Sequence, residues 1–238
     1  MSPKKNPESK PVSKVVSVPE SNSKPVVGVV PDPEKRFVVG VVPDPDKAIM
    51  NILIVGVGGQ GVVLASQILS EVALQAGYDV KKSEVHGMSQ RGGVVTSHVR
   101  IGKKVHSPLI PNGAADVILA FERAEALRWA HELKSGGSLI VNNHKIIPPI
   151  AVDPRYVYPE DALQRLEERI ENLHVVDAAR ISEKLGNPRL ANTVLLGALS
   201  KTLQIDEAVW RDVISRRVPR GTVDANLKAF EEGKGTKM

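Results

Sequence analysis

An apolar run meets a glycine-rich turn in Ile52-Leu53-Ile54-Val55-Gly56-Val57-Gly58-Gly59-Gln60-Gly61, and the organisation of the chain follows from this junction. An apolar run without polar alternation is typical of a strand that is buried on both faces of a parallel sheet. Beyond the turn, Val62, Ala65 and Leu69 recur at helical spacing, and Gly77 lies where the helix would end. The pattern predicts a strand, a glycine turn and a helix in succession.

A second predicted strand, residues 78–83, leads into Glu84-Val85-His86-Gly87-Met88-Ser89-Gln90-Arg91-Gly92-Gly93. An acid, an imidazole, a guanidinium and several glycines occur in this segment, which is more chemistry than a simple connection requires. Ligands of an open parallel sheet bind beyond the carboxyl ends of its strands. The glycine turn and this polar loop are therefore predicted to form one site at one edge of the sheet.

The glycine turn suits an anionic ligand. Gly56, Gly58 and Gly61 allow a tight turn and a close approach of a ligand to the backbone, and free amides at the helix start favour an anion. The spacing also satisfies the dinucleotide fingerprint, with Glu84 near the position of a ribose-binding acid. An NAD- or FAD-dependent Rossmann dehydrogenase is one alternative, and glycines that only close a strand–helix corner are another.

Both segments, together with Asn192-Thr193-Val194-Leu195-Leu196-Gly197, resemble the gamma-type subunits of 2-oxoacid:ferredoxin oxidoreductases, in particular the beta subunits of indolepyruvate ferredoxin oxidoreductases. The likeness runs from about residue 50 to about residue 232 and is most specific in the polar loop. The resemblance implies a subunit of an enzyme that oxidatively decarboxylates indolepyruvate or another aryl 2-oxoacid to an acyl-CoA. Pyruvate, 2-oxoisovalerate or 2-oxoglutarate as substrate remains an alternative, as does a purely structural subunit.

The resemblance also implies a division of labour between subunits. Thiamine diphosphate and iron-sulfur clusters are expected in a larger alpha subunit, with coenzyme A as co-substrate and ferredoxin as acceptor, in a heterodimer or heterotetramer. This chain is expected to be inactive alone. It contains no cysteine, so it holds no cysteine-ligated cluster. The thiamine motif, Gly-Asp-Gly followed by an Asn-Asn pair, is also absent, since Asn142-Asn143 lacks the preceding acidic turn.

Candidate site residues come from the two loops. Arg91 can pair bidentately with a substrate carboxylate or a CoA phosphate, His86 can donate a hydrogen bond or shuttle a proton, and Glu84 can orient His86. Alternatively, each of these side chains bonds backbone in its own loop or across a subunit interface. The candidates for binding a cofactor are Gly56, Gly58, Gly59, Gln60, Gly61, Ser89, Gln90, Gly92 and Gly93. No metal site is predicted, because His98 and His106 lack partners at ligand spacing.

Strands and helices continue to alternate to the end of the chain. Residues 94–101 and 105–109 predict a β-hairpin, and residues 116–120, 138–141 and 174–177 predict further strands. Helices are predicted over residues 122–133, 159–171, 178–185, 188–203, 207–218 and 223–232, with Asp206 and Thr222 as the N-caps of the last two. The predicted fold class is α/β: a mostly parallel Rossmann-like sheet with helices on both faces and a helical C-terminal end.

Residues 1–47 differ in composition from the rest of the chain. They hold nine of the seventeen prolines and no helical apolar period, which predicts a disordered Pro/Ser/Val-rich arm joined to a domain over residues 48–238. Within the arm, the segment Val26-Val27-Gly28-Val29-Val30-Pro31-Asp32-Pro33 recurs as Val38-Val39-Gly40-Val41-Val42-Pro43-Asp44-Pro45. Duplication in a tolerant tail is one interpretation, and short strands that add to an exposed sheet edge are the other.

Composition excludes several functional classes. The chain of 238 residues has a net charge of +5, but basic and acidic residues are interleaved throughout, so a nucleic-acid partner is not indicated. The basic start is not followed by the apolar core of a secretory signal. The lack of cysteine fits a reducing compartment. We therefore expect a cytoplasmic protein without a membrane partner.

Overall fold

The structure, a computed structural model, describes residues 49–86, 93–147 and 157–237, with only the backbone of His86. Within these residues the chain forms β1 Met50–Val57, β2 Asp79–His86, β3 Val94–Gly102, β4 Ala115–Ala120, β5 Leu133–Asn142 and β6 Asn172–Val176. They make one sheet in the order β2-β3-β1-β4-β5-β6. The predicted arm and its repeated segment lie outside the described residues.

Strand directions bring the two predicted loops to one edge of the sheet. β1 is parallel to β4, β4 to β5 and β5 to β6, whereas β3 is antiparallel to both β1 and β2. All strands except β3 therefore end at the same edge, which we call the carboxyl rim. It is formed by the ends of these strands at Val57, His86, Ala120, Asn142 and Val176.

Seven α-helices surround the sheet in the described part of the chain. They are α1 Val62–Gln75, α2 Arg123–Trp129, α3 Ala162–Glu167, α4 Ala178–Lys184, α5 Ala191–Ser200, α6 Glu207–Arg217 and α7 Val223–Lys234. Asp206 caps α6, because its carboxylate accepts from Ala208 N at 2.8 Å. Of the helices in the described ranges, none has the length and apolar character needed to cross a membrane.

The two faces of the sheet bury separate cores. Ile52 and Ile54 of β1 face a large cluster that includes residues of α1, α4, α5, α6 and α7. Leu53 and Val55 point the other way, into a smaller cluster with α2 and α3. Burial on both faces explains why β1 is apolar without alternation. The predicted α/β fold with a mostly parallel sheet is confirmed, and the helical C-terminal end supplies most of one layer.

The β-hairpin is formed by strands other than those predicted. β3 pairs with β2, with Glu84 opposite Ser97, and residues 105–109 form no strand. Instead, the guanidinium of Arg100 donates to the carbonyl oxygens of Ser107 and Leu109 at 3.0 and 3.2 Å. A side chain of β3 thus fixes this segment, whereas the predicted pairing assumed backbone bonds.

Several helix ends also differ from the prediction. The helix expected to run to Leu133 ends at Trp129 and is followed by a 3-10 turn, and β5 starts at Leu133. α3 is shorter than the helix predicted over residues 159–171, and Pro188–Leu190 forms a 3-10 turn before α5. Thr222 precedes α7 but does not cap it, since its hydroxyl donates to Pro219 O. Leu133, the last residue that local periodicity assigns to a helix, instead pairs with Ala115 of β4 as the first residue of β5.

α5 and α7 approach each other through two glycines. A Cβ on Gly197 would lie 2.1 Å from Phe230 O, and one on Gly233 would lie 2.0 Å from Val194 O. Both obstacles are backbone atoms, so no side-chain rotation relieves them. The glycine in the Asn192–Gly197 segment therefore serves helix packing.

We expect Gly197→Ala to lower the free energy of unfolding by about 1–3 kcal/mol or more, because an extra methyl group forces α5 and α7 apart. Gly221→Ala is a matched control, since a Cβ at Gly221 meets nothing within 4 Å and the residue lacks a left-handed φ. The measurement is urea unfolding of both variants beside the parent chain. Equal midpoints for the two variants would contradict the packing role of Gly197.

Candidate functional site

The glycine turn at the end of β1 is closely packed against β4. A Cβ on Gly56 would lie 2.8 Å from Phe121 Cβ and 2.9 Å from Val62 Cγ2. Gly59 and Gly61 have φ values of +101° and +85°, which other residues rarely adopt. The turn requires glycine at these positions and leads directly into α1.

The start of α1 fits an anionic group. Gly61 is the N-cap, no side chain of the described residues caps the helix, and the first turn contains no acidic residue. The first amides of a helix have no acceptor within it, and the helix dipole adds a partial positive charge there. Such an end can bind a phosphate or carboxylate oxygen, which is the chemistry predicted for this turn.

Gln60 joins the turn to the end of β4. Its Oε1 accepts from Val57 N at 2.7 Å, and its Nε2 donates to Phe121 O at 2.9 Å. Both the acceptor and the donor of the Gln60 side-chain amide are therefore used in hydrogen bonds within the protein. The cofactor-binding role predicted for Gln60 stays a prediction. Among the described residues, its side chain bonds Val57 and Phe121 and so holds the turn in place.

Asn142, at the end of β5, contacts the same carbonyl group. Its Nδ2 donates to Phe121 O at 3.2 Å, while its buried Oδ1 has no hydrogen-bond partner among the described residues. Buried amide oxygens are normally paired, so this oxygen is an unused acceptor at the carboxyl rim. Asn142 is not among the site residues predicted from the sequence. Its position after the apolar run of a strand was the available signal.

A buried polar network supports the turn from α5 and α7. A Cβ on Gly61 would lie 2.8 Å from Asn192 Nδ2, so Asn192 lies directly against the helix start. Thr193 Oγ1 donates to Asn226 Oδ1 at 2.7 Å, and Asn226 Nδ2 donates to Thr222 O at 2.8 Å. The Asn192–Thr193 pair was noticed only through the family resemblance, and the structure places it beneath the glycine turn.

Glu84 lies within β2, because the strand continues to His86 and the predicted loop is correspondingly shorter. Its Oε1 accepts from Lys82 Nζ at 2.6 Å and from Ser66 Oγ of α1 at 3.2 Å. These contacts tie β2 to α1. The predicted contact between Glu84 and the His86 side chain lies outside the described side chains.

Ser89, Gln90, Arg91 and Gly92 also lie outside the described residues. Gly93 follows them, and its carbonyl oxygen accepts from Gly58 N at 2.8 Å. The end of the polar loop is thus hydrogen-bonded to the glycine turn, so the two segments meet at the carboxyl rim. The roles assigned to Arg91 and His86 stay predictions.

The strand order argues against the dinucleotide alternative. In that arrangement the ribose-binding acid ends the strand beside β1. Here β3 occupies the position next to β1, and Glu84 is on β2, two strand spacings or about 10 Å from it. The Glu84 carboxylate is also already paired with Lys82, which further argues against a ribose-binding role for Glu84.

A buried carboxylate, that of Glu122, lies at the carboxyl rim just after β4. Glu122 is 1% exposed, caps α2 by accepting from Glu125 N at 2.9 Å, and also accepts from Ile146 N and the Tyr158 hydroxyl. Burial and the bond to Glu122 raise the pKa of Tyr158, so the phenol remains a donor. Arg123 Nε is buried and has no partner in residues 49–86, 93–147 and 157–237. None of these residues was singled out from the sequence.

The histidines of the predicted hairpin have other surroundings. His98 Nδ1 accepts from Ile110 N at 3.3 Å, and burial lowers the pKa of its imidazole. His106 is exposed. Across residues 49–86, 93–147 and 157–237, no three His, Cys, Asp or Glu side chains are grouped as metal ligands.

Comparison with known proteins gives consistent matches. The family described as pyruvate ferredoxin/flavodoxin oxidoreductase matches residues 51–235. The chain is 43% identical over 191 residues to indolepyruvate oxidoreductase subunit IorB of Thermococcus kodakarensis, covering 77% of this chain and 93% of the relative. It is 32% identical over 192 residues to 2-oxoglutarate synthase subunit KorC of Methanothermobacter marburgensis, covering 77% and 94%. The crystal structure of pyruvate oxidoreductase subunit PORC from Thermotoga maritima has a TM-score of 0.61 and 25% identity, covering 80% of this chain and 97% of that chain. The resemblance found in the sequence is confirmed.

We expect Gln60→Glu to lower the free energy of unfolding by about 1–3 kcal/mol, because a carboxylate keeps the acceptor for Val57 N but cannot donate to Phe121 O. Gln67→Glu is the control, since Gln67 is an exposed residue of α1, the helix that follows the turn, and its change should alter stability by less than about 0.5 kcal/mol. Chemical denaturation of the two variants makes the comparison. If Gln60→Glu is as stable as the parent chain, the bond to Phe121 O does not hold the turn.

Proposed function

The chain belongs to the pyruvate ferredoxin/flavodoxin oxidoreductase family, and on that premise we propose that it is the non-cluster subunit of a 2-oxoacid:ferredoxin oxidoreductase acting on indolepyruvate or another aryl 2-oxoacid. The carrying observation is its greater identity to an indolepyruvate oxidoreductase subunit than to a 2-oxoglutarate synthase subunit, at nearly full length of both relatives. Pyruvate, 2-oxoisovalerate and 2-oxoglutarate are the substrates against which this assignment is tested.

The proposal assigns the redox groups to a larger partner subunit. A chain without cysteine cannot ligate an iron-sulfur cluster through thiolates, so electrons must leave through another chain. Thiamine diphosphate, when bound in that partner, supplies the chemistry that decarboxylates the 2-oxoacid. Coenzyme A accepts the acyl group, and ferredoxin accepts the electrons.

The carboxyl rim is this chain's proposed contribution to the active site. The uncapped start of α1 and the guanidinium of Arg91 would bind anionic groups, namely a substrate carboxylate or a CoA phosphate. His86 would donate a hydrogen bond or move a proton near neutral pH. Glu84, with its bonds to Lys82 and Ser66, would hold β2 and hence the start of the loop against α1.

A purely structural subunit is the second candidate function. The close packing of Gly56 against Phe121 and the full use of Gln60 inside the protein are compatible with a turn that binds nothing. Against it stand the start of α1, which no described side chain caps, and Asn142 Oδ1, which no described residue pairs at the same rim. The two candidates differ in whether a rim variant changes activity without changing assembly.

We expect the isolated chain to fold but to show no 2-oxoacid-dependent reduction of ferredoxin. Activity should appear when the larger subunit is co-expressed, with kcat/KM highest for aryl 2-oxoacids. The assay compares indolepyruvate, pyruvate, 2-oxoisovalerate and 2-oxoglutarate with CoA and ferredoxin present. Turnover by this chain alone would overturn the assigned division of labour, and a preference for pyruvate would overturn the aryl assignment alone.

We expect Arg91→Lys to lower kcat/KM of the assembled enzyme by about 1–3 kcal/mol in transition-state free energy, because lysine keeps the charge but not the two parallel bonds. Arg169→Lys is the matched control, because Arg169 is exposed and precedes β6 at the opposite edge of the sheet.

Kinetics and gel-filtration elution of the complex are measured together for both variants. Full activity in an intact complex would remove Arg91 from the site. Weakened assembly with normal activity per complex would assign Arg91 to the subunit interface.

A further inference from the structure

One edge strand of the sheet lacks the usual protection against strand addition. β6 contains no Asp, Glu, Lys or Arg, and burial lowers the pKa of its His174, so the strand is uncharged near neutral pH. The opposite edge strand, β2, carries Lys81, Lys82 and Glu84. Charged side chains, lysine above all, are a common means of blocking an edge.

The outer side of β6 offers backbone groups and apolar surface together. Val176 O accepts from Asn143 N, so the backbone groups of Val176 point toward β5. Successive residues of a strand direct their backbone groups to alternate sides, so the N–H and C=O groups of Leu173 and Val175 point away from β5. Val175 is also 38% exposed, although it follows the buried His174. In the described part of the chain no strand lies beyond β6.

We propose that the segment Val38–Val42 of the repeated sequence pairs with the outer edge of β6 as a seventh, antiparallel strand. The two strands have equal length, since Val38-Val39-Gly40-Val41-Val42 and Asn172–Val176 are both five residues. Pro43 follows immediately and ends the pairing, because proline has no N–H to donate. The segment lies before residue 51, where the family match begins, so this strand would be an addition to the family fold.

The register follows from the chemistry of the two strands. With Val42 beside Asn172, the glycine at position 40 lies opposite the His174 imidazole, and Val39 lies opposite Val175. Val39 then covers the exposed Val175 on one face of the sheet. On the other face, Gly40, which has no side chain, lies beside His174, the bulkiest residue on that face of β6. Cross-strand pairs of β-branched residues stabilise a sheet in this way.

The connection to β1 favours the antiparallel direction. Four strand spacings of about 4.8 Å separate the new strand from β1, or about 19 Å in all. The eight steps from Val42 to Met50 span up to about 26 Å at about 3.3 Å per residue. If the new strand were parallel to β6, Val42 would lie at the carboxyl rim, about 13 Å further from the start of β1 along the strand direction. Residues 43–49 would then have almost no spare length to pass around the edge of the sheet.

Cysteine cross-linking tests the pairing, because the chain has no cysteine of its own. In the full-length protein, Val39→Cys with Val175→Cys should form an intramolecular disulfide under mild oxidation, since directly opposed residues lie within disulfide range. Val39→Cys with Val85→Cys is the matched control on β2, where Val85 is 56% exposed. It should form at least about tenfold less, as expected for a pairing preference of about 1.4 kcal/mol.

Other cross-linking outcomes identify other occupants of the edge. Bonding of Val41→Cys, and not Val39→Cys, to Val175→Cys would overturn the antiparallel direction. Bonding of Val27→Cys in the first repeat, with none from Val39→Cys, would overturn the choice of segment. A disulfide-linked dimer without the intramolecular product would assign the edge to a second copy. Equal yields at Val85 and Val175 would overturn the proposal.

Amide hydrogen exchange gives a second test that does not depend on the cysteine variants. The amides of Leu173 and Val175 should exchange at least about tenfold faster in Val39→Pro, which removes a donor to β6, than in the parent chain. Val38→Pro is the control, because its amide would point away from β6 and its loss should leave both rates nearly unchanged. Equal exchange in the parent chain and Val39→Pro would overturn the pairing.

Discussion

The approach of the β1 turn to the end of β4 is the contact on which the other features of the site depend. At Gly56, next to the last residue of β1, there is no room for a Cβ beside Phe121, so the close approach requires glycine at this position. Phe121 O accepts from both Gln60 and Asn142, which ties the ends of β1, β4 and β5 together. The position of the first turn of α1 relative to the rim follows from this three-strand junction.

The two faces of the sheet are covered by helical layers of different thickness. One is covered by α2 and α3, whereas the other carries α1 and the four helices from α4 to α7. The thicker layer brings Asn192, at the start of α5, against Gly61, at the start of α1. Its helices pack so closely, through Gly197 and Gly233, that the polar residues beneath the turn have little freedom to move.

Buried polar groups near the rim fall into two kinds. Gln60, Thr193 and Asn226 use their hydrogen-bonding groups inside the protein and therefore stabilise one arrangement of the turn. Asn142 Oδ1 and Arg123 Nε have no partner in the part of the chain that the structure describes. The rim therefore combines a hydrogen-bonded frame with two buried polar atoms that no described residue pairs.

Sequence alone determined the alternation of strands and helices, the glycine turn and the convergence of two loops at one rim, because these depend on local periodicity and on backbone conformations closed to other residues. It also identified the family through the residues of those loops. The pairing of β3 with β2, the early start of β5 and the short α3 were decided by tertiary contacts, since strand partners are chosen between residues far apart in the chain. The same holds for Asn142, Glu122 and Tyr158. No local pattern distinguishes a buried amide or phenol from an exposed one until the strands and loops that surround it are in place.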